Sequence, residues 1–298
     1  MLDLLVEITA LGLFVILAAY FASSLIRQFL DGRLAAKSSA LESDYLRLKI
    51  EQVMDTRQSD RAKNELSWNG LRKFRVQRKA NESKDICSLY LVPHDGKPLP
   101  PFLPGQYLTF EINLPEQGKS SIGTGKGLKP VIRCYSLSDS PVRLDYYRVT
   151  VKKIPPPPDK PDLPPGLISS YFYDQLKEGD IVDVKAPSGH FCLDMTKRTP
   201  VVLIAGGVGI TPVLSMLNTI AAGSSKRETW FFFGVRNRAE HIMKEHLERI
   251  ALGNPNVHLQ ICYSNPTKDD VQGRDYHHGE RVSVDLFQRL LPSNNYQF

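Results

Sequence analysis

One turn in the C-terminal half restricts the fold of this 298-residue chain more than any other feature. An apolar run, VVLIA at 201–205, leads directly into GGVGITP at 206–212. An apolar strand that passes through glycines into a helix is typical of a buried parallel sheet, with the turn at the carboxyl end of the strand. Gly206, Gly207 and Gly209 allow the backbone to approach a ligand closely. The turn is therefore predicted to bind the phosphates of a nucleotide.

Pro212 stands where the last glycine of the G-x-G-x-x-G dinucleotide motif is expected. We predict that Thr211 is the N-cap of the following helix and that Pro212 lies in its first turn. A proline at that position loses no hydrogen bond, because the first N–H groups of a helix have no partner inside it. The turn is thus a variant of the motif that keeps its phosphate-binding character.

Two hydrophobic patterns divide the body of the chain. Between 71 and 195, six short β-type runs are separated by turns and prolines, with one helical stretch at 167–177. This pattern predicts a small antiparallel β-barrel. In 196–298, strands alternate with helices, including a polar helix at 239–251 and a last helix at 283–290. That alternation predicts an α/β domain with a parallel sheet.

Residues 1–28 are predicted to form a transmembrane anchor. The stretch 4–26 carries one charge, Glu7, and as a helix it would reach roughly 34 Å, enough to span a bilayer. A cleaved signal peptide is disfavoured because no Lys or Arg precedes Arg27. Basic residues follow the span directly, so we expect a single-pass protein of the cell membrane, with its N-terminus outside and its soluble domains cytoplasmic.

Residues 29–70 are predicted to be a basic, helical juxtamembrane linker. Between 27 and 79 there are 13 Lys/Arg and 7 Asp/Glu, so this segment carries the whole net charge of +6. It lacks the aromatic interleaving of a nucleic-acid-binding face, whereas it suits the anionic surface of a lipid bilayer. A solvated spacer helix is expected over 34–66, with a short coiled coil as the alternative, because leucines recur there every seven residues.

Several other patterns are interpreted as structural. GTGKG, within 116–130, opens no helix and is predicted to be a hairpin insertion. The proline-rich run 155–166 is predicted to be a stiff connecting loop, with a polyproline ligand as the alternative. No metal site is predicted, since His277–His278 has no third ligand nearby and no two cysteines form a CxxC pair; the cysteines are Cys87, Cys134, Cys192 and Cys262.

The barrel segment carries an anion site and an aromatic platform. Arg133 and Tyr135 in RCYS lie two residues apart on one strand, so they share a face. Arg133 offers a rigid cationic fork for a phosphate, and Tyr135 offers a flat ring on which an aromatic cofactor can stack. The N-terminus of the helical stretch at 167–170 adds free N–H groups for the same anion. Together these features describe a flavin nucleotide pocket.

Three motifs in this order resemble the ferredoxin–NADP⁺ reductase superfamily: R-x-Y-S at 133–136, G-x-x-S at 166–169 and G-G-V-G-x-T-P at 206–212. The resemblance covers about 71–298 and is greatest to the reductase modules of flavohemoglobins and of flavin/iron–sulfur oxygenase reductases. It implies FAD, rather than FMN, in the barrel and NADPH or NADH in the α/β domain, with hydride passing from the nicotinamide to flavin N5.

The resemblance also implies roles for individual residues of the barrel. Arg133 would hold the flavin pyrophosphate, Tyr135 would stack on the isoalloxazine and Ser136 would hydrogen-bond near N5. Tyr107 would line the flavin, and Ser169 with the neighbouring amides would bind its phosphate. The implied flavin contacts are completed by Cys134, Gly166 and Ser170.

In the α/β domain the resemblance assigns the pyrophosphate of NAD(P)H to the glycine turn, with Thr211 close to the nicotinamide. We therefore expect Tyr135, Ser136 and Thr211 nearest the reacting atoms. The second strand lacks a terminal Asp or Glu for a ribose 2′-OH and is followed by Arg236 and Arg238, which suit the 2′-phosphate of NADPH, as does Ser264. The implied turn residues are Gly206, Gly207, Val208, Gly209, Ile210 and Thr211.

The chain departs from the superfamily at its C-terminus. A Cys-Gly-Pro turn is expected there, but the sequence stops at LPSNNYQF, whose last three residues look like the opening of the strand that leads to it. We expect a truncated copy or a fragment, with any iron–sulfur cluster in a missing downstream domain. The predicted function is a membrane-anchored NAD(P)H oxidoreductase with a ferredoxin-like, iron–sulfur or haem protein as electron acceptor; the alternative is a non-catalytic flavin-binding membrane subunit.

Overall fold

The computed structural model describes residues 65–115, 128–223 and 225–298, together with isolated residues between 21 and 54. The predicted transmembrane helix, most of the predicted linker and the GTGKG insertion lie outside the described residues. Within the described part of the chain, no helix combines the length and the apolar character needed to cross a bilayer. Contacts divide the chain into residues 1–60 and 61–298, and the second unit contains both sheets.

The first sheet is antiparallel and has six strands in the order β4-β3-β6-β1-β2-β5. A bridge from Leu137, just after β4, to Val149 within β5 joins the two edges of the sheet. Alternation in β1 buries Phe74 and Val76 between exposed polar residues, as expected for a strand with one solvated face. The strands are β1 Arg72–Ser83, β2 Ile86–Pro93, β3 Tyr107–Pro115, β4 Leu128–Ser136, β5 Tyr147–Lys152 and β6 Ile181–Ser188.

A short helix fills the connection between β5 and β6. It consists of α1, Leu167–Ser170, and a π-helical turn, Tyr171–Gln175, so it ends before the predicted limit at 177. The proline-rich run before it is mostly exposed, and a hydrogen bond of 2.9 Å from the Gly166 N–H to the Ile154 carbonyl closes its base. This geometry is that of a connecting loop.

The second sheet is parallel, in the order β7-β8-β9, as predicted from the alternation of strands and helices. In β8, Phe231 and Phe233 pack into one hydrophobic cluster and Phe232 into another, so both faces of the sheet are covered. The elements are β7 Val201–Gly206, α2 Ile210–Ala222, β8 Thr229–Val235, α3 Lys244–Gly253, β9 Val257–Tyr263 and α4 Val284–Leu290.

Two local features differ from the predictions or extend them. The polar helix predicted at 239–251 begins only at Lys244, because Met243 adopts a left-handed conformation with φ 59° after a 3₁₀ turn at Arg238–Glu240. Near the last residue, Gln297 pairs in parallel with Val201 through two backbone hydrogen bonds of 2.8 Å, along the edge of β7 away from β8. Gln297 thus extends the parallel sheet by one bridge at its outer edge.

Candidate functional site

The flavin half of the site is built around Tyr107 and Ser136. These residues face each other across β3 and β4, and Tyr107 also pairs with Ser188 of β6. Gly189 follows β6 with φ 124°, and a Cβ there would stand 2.9 Å from the Tyr107 ring. Glycine is therefore needed both for the backbone conformation and for the close approach of the ring. The packing fixes Tyr107 beside the residue expected near flavin N5.

Tyr135 connects β4 to the helical segment that follows β5. Its ring lies 5.1 Å from Phe172 and 5.8 Å from Phe110 (centroid distances), so it is half-buried at the edge of the hydrophobic core of the six-stranded sheet. Burial raises the pKa of Tyr135 to about 12, against the opposing effect of the Arg133 charge, and the phenol stays protonated at neutral pH. Cys134, between them, is exposed and lies 3.5 Å from the Thr109 hydroxyl.

Arg133 offers a cation at the surface. Its Nη1 donates to the neighbouring Ile132 carbonyl at 2.7 Å, and the residue is exposed. The Tyr135–Phe172 contact holds the short helix against β4, the strand that carries this guanidinium. The arrangement supplies a cation and free helix N–H groups on adjoining elements, which suits a diphosphate.

The two adjacent serines of α1 differ in their hydrogen bonding. The Ser169 hydroxyl donates to the Gly166 carbonyl at 3.0 Å and accepts from the Ile154 N–H at 3.2 Å, so it ties the helix start to the preceding loop. The Ser170 hydroxyl is buried and has no hydrogen-bond partner among the described residues. An orphaned hydroxyl of this kind fits a polar ligand group. The structure therefore leaves the hydroxyl of Ser170, and not that of Ser169, without an internal partner in the part of the chain that it describes.

The nucleotide half begins at the glycine turn, which is a 3₁₀ turn at Gly207–Gly209. Gly207 has φ 49°, and an added Cβ would meet nothing within 4 Å, so the backbone stands open to a ligand. The helix begins two residues earlier than predicted: Gly209 is its N-cap, and Thr211 lies inside the first turn with its hydroxyl 3.3 Å from the Val208 carbonyl. The prediction that Thr211 is the N-cap was wrong, because the preceding 3₁₀ turn already leads into the helix.

The side chains of Ile210 and Thr211 are less accessible to a nucleotide than their position in the motif predicts. The Ile210 side chain is fully buried in the hydrophobic cluster that contains Phe231 and Phe233, and Thr211 is 7% exposed. Of Ile210, only the backbone can face a nucleotide.

A crevice of about 610 Å³ lies at the carboxyl ends of the three parallel strands. Ligands bind at this edge in open α/β sheets, and the volume suits a nucleotide. Arg236 and Ser264 lie in the crevice with the glycines, whereas Arg238 lines a separate cavity with Lys244 and Arg249. The two arginines lie in different cavities because Arg238 begins the 3₁₀ turn that Asn237 caps.

The sequence interpretation missed the far wall of the crevice. Arg281, Ser283 and Phe287 line it, from the segment before α4 and from α4 itself. The sequence does indicate where α4 begins, because Ser283 is a residue type that commonly caps helices. In the structure its hydroxyl accepts from the Leu286 N–H at 3.2 Å. That signal does not show which strands this segment faces across the crevice.

Cys262 also lines the crevice. Burial raises the pKa of its thiol to about 12, so the thiol stays protonated.

The two halves meet through the segment that follows β4. The Ser215 hydroxyl of α2 donates to the Asp139 carbonyl at 2.7 Å. Asp139 lies three residues after Ser136, and α2 begins directly after the glycine turn. The contact thus joins the strand with the expected flavin contacts to the helix of the expected nucleotide contacts.

Comparison with known families agrees with this division. Residues 73–192 match the oxidoreductase FAD-binding domain and residues 203–297 match the oxidoreductase NAD-binding domain. The FAD/NAD-binding domain of a nitric oxide dioxygenase from Vibrio cholerae superposes with a TM-score of 0.63 at 30% identity, over 77% of this chain and 86% of that one.

Flavohemoproteins are similar to the same part of the chain. The protein of Bacillus anthracis is 40% identical over 237 residues, which are 80% of this chain and 55% of the relative. That of Bordetella pertussis is 37% identical over 231 residues, 77% of this chain and 54% of the relative. The chain thus spans about half the length of these relatives. It belongs to the ferredoxin–NADP⁺ reductase superfamily, whose FAD-binding and NAD-binding oxidoreductase domains it carries in that order, and it is an NAD(P)H-dependent flavoprotein oxidoreductase.

Proposed function

We propose that this chain is a membrane-anchored reductase that takes hydride from NAD(P)H onto FAD and delivers electrons to a protein acceptor. The observation that carries the proposal is the hydrogen bond between Ser215 and Asp139, since it supports a common reaction site for the two cofactors. When bound, the flavin supplies the conversion of a two-electron hydride into single electrons. The protein contributes binding and orientation.

Each half has its own residues for these tasks. Arg133 and Ser170 bind the flavin diphosphate, Tyr135 and Tyr107 orient the ring system, and Ser136 donates a hydrogen bond near the reacting nitrogen. The open backbone at Gly207 admits the pyrophosphate of the nucleotide. These roles are supported by the orphaned hydroxyl of Ser170 and by the positive φ of Gly207.

NADPH is the proposed donor. Arg236 and Arg281 line the crevice together with Ser264, and two guanidinium groups with a hydroxyl favour a 2′-phosphate over a 2′-OH. Arg236 pairs only at 3.7 Å with Glu240 and is largely exposed, so the pair is weak and its cation can turn to a phosphate.

A haem protein at the membrane is the proposed acceptor. The flavohemoproteins that resemble this chain carry haem in their name, and the apolar stretch 4–26 supports an anchor that keeps the reductase domains on the cytoplasmic face. Carbonate-resistant membrane association that is lost on deletion of 1–28 would support the anchor. Release by carbonate would contradict it.

Anaerobic flavin reduction tests the central proposal. We expect the purified full-length chain, loaded with FAD, to bleach at 450 nm on addition of NADPH, and faster than with NADH at equal low concentration. Arg281→Ala should lower the preference for NADPH about tenfold, as one charge-assisted hydrogen bond is lost. Arg198→Ala is the matched control outside the crevice. Flavin that binds but stays oxidised with both donors would contradict the proposal and support the non-catalytic alternative.

A further inference from the structure

The Asp139 carboxylate is the centre of a polar junction between the two halves. One oxygen accepts from the Ser140 N–H and from the Asn218 side-chain amide, both at 2.9 Å. The other accepts from the Tyr146 hydroxyl at 2.8 Å and lies 3.6 Å from the Arg148 guanidinium. Its side chain is 16% exposed, so these contacts form in surroundings that shield them from water.

The junction continues through α2 into α3. Because the Asn218 amide nitrogen faces a carboxylate, its oxygen is left to accept from His246 Nε2, at 2.7 Å. This pairing requires a hydrogen on Nε2 of His246, which the neutral ring can carry. Ser215, one turn before Asn218, adds the bond to the Asp139 carbonyl and is fully buried. Two residues on one face of α2 are thus held by one residue of the flavin half.

The position of the junction along α2 and after β4 allows it to affect how the two cofactor sites are placed relative to each other. Asn218 lies nine residues beyond the turn residue Gly209, which is roughly 13 Å along a helix. On the other side, Asp139 follows Ser136 by three residues. A tilt of α2 at the junction therefore moves the nucleotide turn relative to the flavin contacts. Hydride transfer is sensitive to such movement, because a misplacement of about 1 Å can lower a rate about a hundredfold.

We propose that Asp139 and Asn218 are positioning residues for hydride transfer. Their hydrogen bond sets the orientation of α2, and with it the glycine turn, relative to β4. The inference rests on the proposed function, since it concerns the rate of the same hydride step. It assigns no contact with either cofactor to the two residues.

Replacing the donor of this hydrogen bond by a charged acceptor tests the proposal. Asn218→Asp places a carboxylate opposite Asp139 while it keeps an acceptor for His246. We expect flavin reduction at saturating NADPH to be at least about tenfold slower, with unchanged affinity for FAD. Combining it with Asp139→Asn restores a donor–acceptor pair, and the double variant should regain most of the rate. Wild-type rates in Asn218→Asp, or an equally slow double variant, would overturn the proposal.

A matched control separates positioning from general loss of stability. Asn256 also donates two side-chain hydrogen bonds, to the Ser225 and Arg227 carbonyls, but both lie within the nucleotide half. Asn256→Ala should therefore reduce stability and leave the rate at saturating NADPH within about twofold of wild type. A slowing as large as that of Asn218→Asp would overturn the proposal, because the rate would then follow stability.

Hydrogen exchange provides a readout that does not depend on turnover. In FAD-loaded protein, Asn218→Asp should raise amide exchange in both 137–149 and 210–222, and the double variant should lower it again. Unchanged exchange in these segments would overturn the proposal. A wild-type flavin that NADPH leaves oxidised would instead contradict the proposed function, and the exchange result would still decide whether the two residues orient α2.

Discussion

In the proposed function, the flavin half and the nucleotide half offer a diphosphate different kinds of group. The flavin half uses side chains, with the guanidinium of Arg133 on a strand and the buried hydroxyl of Ser170 on a four-residue helix. The nucleotide half uses its backbone, with a left-handed glycine at Gly207 followed by a helix of 13 residues. A long helix presents an aligned dipole and several free N–H groups, so the second site requires less from side chains.

The two halves should therefore respond differently to substitution. Loss of a side chain should weaken the flavin site most, whereas loss of backbone freedom should weaken the nucleotide site most. The halves also differ in their histidines, because His241, His246, His277 and His278 all lie in the nucleotide half, and partial or full loss of solvent lowers the pKa of each.

Arg133→Ala should have the largest effect. Loss of a charge-assisted hydrogen bond is worth about 2 kcal/mol, which corresponds to about a thirtyfold weaker affinity for FAD. Fluorescence titration of the apoprotein measures it, with Arg75→Ala on β1 as the exposed control. The affinity for NADPH should stay the same, and an unchanged affinity for FAD would contradict the role of Arg133.

Lower pH should destabilise the nucleotide half. Burial lowers the pKa of His241, which is 9% exposed, to about 4, so the folded protein keeps it neutral while the unfolded chain protonates it below about 6.5. Stability is thus fully present above 6.5 and falls as the pH drops towards 4; at pH 5 the loss from His241 is about 2 kcal/mol. Urea unfolding at pH 7 and pH 5 measures the change. His241→Asn does not titrate and should show a smaller difference.

Gly207→Ala should weaken the nucleotide site by about tenfold. A Cβ at φ 49° is strained by about 1–2 kcal/mol and projects into the open side of the turn. Gly273→Ala is a matched control, since Gly273 has φ 84°, is equally open and lies outside the crevice. Flavin reduction at a series of NADPH concentrations distinguishes the two. If Gly207→Ala and Gly273→Ala weakened NADPH binding equally, the cause would be general backbone strain and not a role of Gly207 in the site.

The serine pair should show the smallest and most selective difference. Ser170→Ala removes a hydroxyl without an internal partner, so we expect about fivefold weaker FAD binding and an unchanged Tm. Ser169→Ala breaks the internal bonds of the helix start and should lower the Tm with less effect on FAD. The reverse outcome would restore the assignment of Ser169 from the motif.

Most of the secondary structure could be predicted from the sequence because hydrophobic periodicity is local. Six strands in the first half and the strand–turn–helix at 201–222 follow from it. The late start of α3 could not be predicted, since the left-handed Met243 has no glycine or asparagine to signal it. The sequence also could not distinguish the adjacent serines Ser169 and Ser170, because they differ in their contacts with the Gly166 carbonyl and the Ile154 N–H.

The order of the two halves, their sheet types and the three motifs that assign a cofactor to each can be read from the amino-acid sequence alone. Those properties depend on residues that are close together along the chain. How the halves meet, through Asp139, Ser215 and Asn218, is visible only in the folded chain. Asp139 and Ser215 are 76 residues apart, and their contact depends on the packing of a strand end against a helix, which no local pattern encodes.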